Sequence, residues 1–226
     1  MISNIVDLLE LERSFRKYLL SQEVDFDDQG FPIFQASMFL DEWPDVIVTY
    51  QCRNSVALVK DPSKTAICFY TADSRIYPRL ERVFDELDEY RRFMGVVSMD
   101  LTFTKDMDPE LQQLILTVNQ LFTMILAVNG IRIILNTRSG GLILSSAFKS
   151  IPKGIAVSSG FLGCSRLSED DFSYISKIIF LFPCMVCIYG KRDFVAEEQL
   201  ERFGFMYKIY PDTHRKYKNK ENEYGR

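Results

Sequence analysis

Six apolar runs in this chain each end in residues able to do chemistry. After VIVTY come Gln51, Cys52, Arg53 and Asn54, after ICFY come Thr71, Ala72, Asp73 and Ser74, and after GVVSM comes Asp100. After IRIIL come Asn136, Thr137, Arg138, Ser139, Gly140 and Gly141, after GIAV come Ser158, Ser159 and Gly160, and after CIYG come Lys191, Arg192 and Asp193. A carboxylate such as Asp73 or Asp100 can serve as a general base or hold a divalent cation. Arg138 and Lys191 can hold phosphate or carboxylate groups, the guanidinium in bidentate fashion. Asn136, Ser158 and Ser159 offer an amide and two hydroxyls for orienting a ligand. Gly140 lets backbone N–H groups approach an anion at the start of a helix. Its surroundings lack the spacing of a GxGxxG or Walker sequence. The candidates are therefore Asp73 and Asp100 as catalytic carboxylates, and Asn136, Arg138, Gly140, Ser158, Ser159 and Lys191 as ligand-binding residues. No metal set is assigned and no cofactor is identified. Loops lie on the surface in every protein of this kind, so Asp73, Ser74 and Ser139 also read as turn or cap residues.

Several other chemistries find little support. Ser158-Ser159-Gly160 is not a G-x-S-x-G elbow, and the single His, His214, lies near the C-terminus. One imidazole also argues against zinc hydrolysis. The acidic turn Asp25 to Gly30 (DFDDQG) has no further carboxylate at ligand spacing. Five cysteines, an odd count, argue against a disulfide framework. Cys184-Met-Val-Cys187 has redox spacing but sits in an apolar run. Alternation there sends the two sulfurs to opposite faces, so both are read as buried structural thiols.

The elements that must position these groups form a repeat. Short β-rich runs fall at Phe31–Phe34, Val46–Tyr50, Ala66–Tyr70, Gly95–Met99, Ile131–Leu135, Gly154–Val157, Met185–Tyr189 and Phe205–Tyr210. Helical patterns fall between most of them. Arg79–Phe93 places Leu80, Val83, Phe84, Leu87 and Tyr90 on one face. Pro109–Asn129 opens with Pro and stops before Gly130, a second pattern opens at Ser168, and Val195–Phe203 stops at Gly204. Only a short helix fits between Phe34 and Val46, and Arg53–Lys64 reads as a loop. Ile5–Leu20 has the spacing of an amphipathic helix.

Alternating strands and helices predict a parallel sheet, and the nearly continuous apolar runs predict strands covered on both faces. Eight strand candidates point to a degenerate (β/α)8 barrel, with an open doubly wound sheet as the alternative. In either fold the carboxyl ends of the strands form the binding edge. No linker or composition shift divides the chain, so one domain spans 1–226, with an N-terminal helix at 3–21 and a flexible basic tail at 211–226.

A content of 47% hydrophobic and 26% charged residues predicts a packed core rather than disorder. A net charge of -4 argues against a surface coated for nucleic acid. Residues 1–20 carry charges throughout and lack a signal-like pattern, and Gln112, Gln113, Asn119 and Gln120 interrupt the most apolar helix. A cytoplasmic protein with no membrane partner is the expectation.

The motifs FYTADSR (69–75), VVSMDLT (96–102), NTRSGG (136–141), IPKGIAVSSGFLGC (151–164) and IYGK (188–191) follow one another in order. In this the chain resembles the domain-of-unknown-function 4417 family, over about residues 46–210. The resemblance implies a setting in phages and in integrative or plasmid elements of bacteria, and it implies no reaction. It singles out the same strand ends. Ala72, Met99 and Gly141 depart from the family pattern, and two of those changes remove acids that would share a metal. Two functions are thus expected from the sequence. In one, the rim binds a small phosphorylated or nucleotide-like ligand, with Arg138 and Lys191 on the anion and Asp100 as base. The alternative is a non-enzymatic accessory factor that binds nucleic acid or a protein through the tail, through Arg53, Arg75 and Arg192, or through the N-terminal helix.

Overall fold

The computed structural model describes residues 2, 4–102, 106–137, 148–161, 167 and 172–213. Its seven strands are β1 (Val46–Thr49), β2 (Thr65–Cys68), β3 (Gly95–Val97), β4 (Ile133–Asn136), β5 (Ala156–Phe161), β6 (Met185–Gly190) and β7 (Tyr207–Pro211). All six strand pairings are parallel and the spatial order equals the chain order, β1 to β7. The doubly wound alternative is thereby excluded, because it requires the strand order to reverse at a switch point.

The sheet curls until its edges approach. Seven strands laid flat at about 4.8 Å spacing would separate the edges by roughly 29 Å. Here the Tyr210 hydroxyl on β7 donates to the carbonyl of Pro44, just ahead of β1, at 2.8 Å, and Lys208 Nζ reaches the same oxygen at 3.1 Å. The result is a nearly closed, TIM-like barrel whose seam is bridged by side chains. Its two core layers follow from strand alternation. Ile47, Cys68, Val97, Ile134, Ala156, Cys187 and Tyr210, one from each strand, share a cluster inside the barrel. Their neighbours Val48, Ile67, Val96, Ile133, Val157, Val186 and Ile188 pack outward against the helices. The Leu40 amide donates to the carbonyl of Ile133 at 2.8 Å, and its side chain joins the interior cluster.

The described helices are α1 (Ile5–Ser21), α2 (Asp73–Glu81), α3 (Leu87–Arg91), α4 (Pro109–Val128), α5 (Ser173–Leu181) and α6 (Phe194–Arg202). α1 opens with an Asn4 capping box and buries Leu8, Phe15 and Leu19. It packs on α4, so the predicted amphipathic face serves the core. α4 begins at a capping Asp108 with Pro109 in its first turn, and Gly130 follows it at φ +80°. It is long and apolar enough to cross a membrane, yet 67% of that window is buried inside the protein.

Several predicted elements differ. Phe31–Phe34 is not a strand. Phe26 and Pro32 form one isolated antiparallel bridge, and Phe31 and Phe34 are buried as packing residues. The predicted Arg79–Phe93 helix is two helices, with the first beginning at Asp73. The break turns the buried Glu86 inward, where it pairs with Arg79 and accepts from the Tyr90 hydroxyl at 2.9 Å. Cys184 precedes β6 and is exposed, whereas Cys187 is buried, with its thiol pushed up to about 12 by desolvation. The predicted tail begins too early, because Pro211 belongs to β7 and Thr213 is buried. The helix start expected at Ser168, residues 214–226 and Cys164 lie outside the described residues.

Candidate functional site at the carboxyl mouth of the barrel

Because every pairing is parallel, the strand ends share one rim. Asp73 opens α2 after β2, Asp100 follows β3, Asn136 ends β4, Ser158 and Ser159 lie in β5, and Lys191 follows β6. Arg138 and Gly140 lie outside the described residues.

Four strands meet around Tyr70, which sits two residues beyond β2 with its ring turned into the barrel. The ring stacks on Tyr189 of β6, with centroids 5.3 Å apart. Its hydroxyl donates to Ser158 Oγ at 2.9 Å and lies 3.5 Å from Asn136 Oδ1. Gly160 gives the ring its space: a Cβ there would lie 2.6 Å from Tyr70 Cδ1 and Cε1. Burial, reinforced by the nearby charge of Asp100, pushes the Tyr70 phenol well above its usual range. It is therefore a neutral donor at neutral pH.

Asn136 carries the network to the rim. Its Nδ2 donates to Asp100 Oδ1 at 3.0 Å and to the carbonyl of Met99 at 3.2 Å. Its backbone amide donates to Ser98 Oγ at 2.7 Å. Asn119 of α4 donates to the Met99 carbonyl at 3.0 Å, fixing the end of β3 from the helix side. Asp100 is 7% exposed, so its carboxylate is mostly out of water, and the amide of Asn136 supplies a hydrogen bond in place of that water. Beside it, Asp73 accepts from the Thr102 hydroxyl at 3.0 Å and from the Thr102 amide at 3.3 Å. Asp73 thus clamps the segment that carries Asp100.

The other candidates diverge. Ser158 is fully buried under Tyr70. Ser159, its neighbour, points the other way, 2.6 Å from Thr137 Oγ1 and 3.3 Å from the Tyr174 hydroxyl. Alternation makes this unavoidable, since consecutive strand residues face opposite sides. Lys191 is exposed, and no hydrogen bond or ion pair among the described residues joins its side chain to Asp100 or Asn136. Asp193 caps α6 and also accepts from the Leu167 amide at 3.2 Å. Of the proposed basic surface, Arg53 is paired with Glu89 and Arg192 with Glu197, while Arg75 is exposed. Among the described residues no group of three His, Cys, Asp or Glu side chains is placed to hold a metal.

The sequence reading missed Tyr70, Tyr189 and Thr213 as parts of the mouth, and it named Gly160 without its role of making room for the Tyr70 ring. Thr213 closes the far side, where its Oγ1 lies 3.0 Å from the Tyr189 hydroxyl. The available signal was parity: counting in twos from Cys68 and Cys187 turns both tyrosines inward.

No family model matches the chain, and no curated protein or solved structure matches it. The family resemblance therefore rests on the quoted motifs alone.

Proposed function

We propose that the carboxyl mouth of the barrel binds a small phosphorylated, nucleotide-like ligand. The observation that carries this reading is the buried Asp100–Asn136 pair, held by Tyr70 and Ser158 beneath and by Asp73 and Thr102 beside. Fixing a carboxylate at low exposure is costly unless it is used or well paired. Barrels of this type place their sites at this end. Asp100 and Asn136 suit the N–H and O–H groups of a base or sugar. Lys191, with Arg138 next in the chain after Thr137, suits a phosphate at the rim. Asp100 is the group best placed to take a proton from such a ligand.

The test is thermal stabilisation by nucleoside mono-, di- and triphosphates, sugar phosphates and inorganic phosphate. A nucleotide should raise Tm, and inorganic phosphate at the same concentration should not. Asp100→Asn keeps the acceptor for Asn136, so its apo Tm should stay near wild type while the ligand-induced rise is lost. No rise with any of these compounds would overturn the reading.

A further inference from the structure

The polar groups on the inner face of the mouth are biased towards accepting hydrogen bonds. Asn136 spends both Nδ2 hydrogens inside the protein, one on Asp100 Oδ1 at 3.0 Å and one on the Met99 carbonyl at 3.2 Å. Both partners are acceptors, which fixes the orientation of the amide, so the group Asn136 has left to offer is the acceptor Oδ1. Asp100, when ionised, is an acceptor at both oxygens. The Tyr70 hydroxyl spends its hydrogen on Ser158 Oγ at 2.9 Å. On the far side the Tyr189 hydroxyl is engaged by the Thr213 amide at 3.2 Å and by the Thr213 hydroxyl at 3.0 Å.

Two further acceptors extend this face towards β1 and β7. Thr49 ends β1, and its register partner is Cys68. Ile47, two residues earlier, shares the interior cluster with Cys68, so alternation turns Thr49 inward as well. Thr49 is fully buried, and its Oγ1 has no hydrogen-bond partner. A buried hydroxyl without a partner is rare and costs stability, and it points to a bond made by something outside the chain. Asp212 directly follows β7 and precedes Thr213. Burial pushes the Cys68 thiol well above its usual range, and the charges of Asp100 and Asp212 push it further. Carboxylates from the ends of β3 and β7 thus act on the same interior side chain.

We propose that the end of the ligand entering the mouth is an exocyclic amino group, as on adenine or cytosine, and that Thr49 and Asp212 join Asp100 and Asn136 in selecting it. This rests on the nucleotide reading and adds which bases the site accepts. A carbonyl oxygen in the same place would face Asp100 acceptor to acceptor, with no hydrogen to share.

Titration of the full chain with AMP and IMP, and with CMP and UMP, tests this, because each pair exchanges an amino group for a carbonyl oxygen. In at least one pair the amino nucleotide should bind more tightly by about tenfold or more. Thr49→Val nearly keeps the shape and removes a hydroxyl that bonds nothing in the protein. Its apo Tm should match or exceed wild type while the preference shrinks. Asp212→Asn presents an amide donor and should shift the preference towards the carbonyl nucleotide. Equal affinity within both pairs, or a preference that neither variant alters, would overturn this inference and leave the nucleotide site standing. No binding of any of the four would overturn both.

Discussion

At the scale of single residues, the mouth depends on a glycine and the ring that uses its space. Gly160→Ala places a methyl group 2.6 Å from two Tyr70 ring carbons, so the ring or β5 must move. Overpacking of this kind costs about 1–3 kcal/mol, which chemical denaturation can measure. In a Tyr70→Leu background the same substitution should cost much less, because the obstructing ring is gone. Equal costs in the two backgrounds would mean that the contact does not shape the mouth. Asp100 and Asn136 were readable in sequence because each polar residue closes an apolar run. Tyr70 was not, because an aromatic at a strand end looks the same whether it packs under helices or spans a barrel. Ser158 and Ser159 were grouped as one feature, whereas alternation gives one to the interior and the other to the helix layer.

At the scale of elements, helix starts and stops were legible where a cap and a glycine mark them, as at Asp108 and Gly130. They were not legible where an ion pair across a helix break decides. The pattern of Arg79–Phe93 suits one continuous helix. The chain breaks it so that buried Glu86 meets Arg79, whose guanidinium donates to the Tyr50 hydroxyl at 3.3 Å at the end of β1. Arg53 covers the same Tyr50 ring at 4.0 Å. Glu86→Ala should leave Arg79 without its buried partner and cost about 3 kcal/mol, the usual result of removing one member of such a pair. A loss below about 1 kcal/mol would assign the break to local helix preference instead. Phe31–Phe34 shows the opposite limit. Its β-rich composition reflects burial of two phenylalanines, and composition does not distinguish a buried loop from a strand.

At the scale of the whole molecule, the alternation of strands and helices made the parallel sheet legible. Closure was not, because it depends on how the first and last strands meet. That meeting rests on Tyr210, Lys208 and one carbonyl, and no local pattern marks it. The barrel interior holds Tyr70, Tyr189 and Tyr210, and the helix-side core holds Tyr90. Burial raises the pKa of Tyr70, Tyr90, Tyr189 and Tyr210 above the ordinary 10.0. The fold favours their neutral forms, so their contribution is intact below about pH 10 and is lost as pH rises towards the folded values. Tm should therefore fall steeply above about pH 10, with the tyrosinate absorbance of these residues appearing only on unfolding. Full tyrosinate absorbance in a still-folded protein near that pH would contradict the buried placement.

The central claim is that the carboxyl mouth, with Asp100 fixed by Asn136, is a ligand site. Calorimetric titration of the most stabilising nucleotide into wild type, Asp100→Asn and Lys191→Ala tests it most directly. Binding of one nucleotide per chain, weakened by about tenfold or more in each variant while both stay folded, is the expected result. Equal affinity in all three proteins, or no binding heat with any nucleotide, would contradict it.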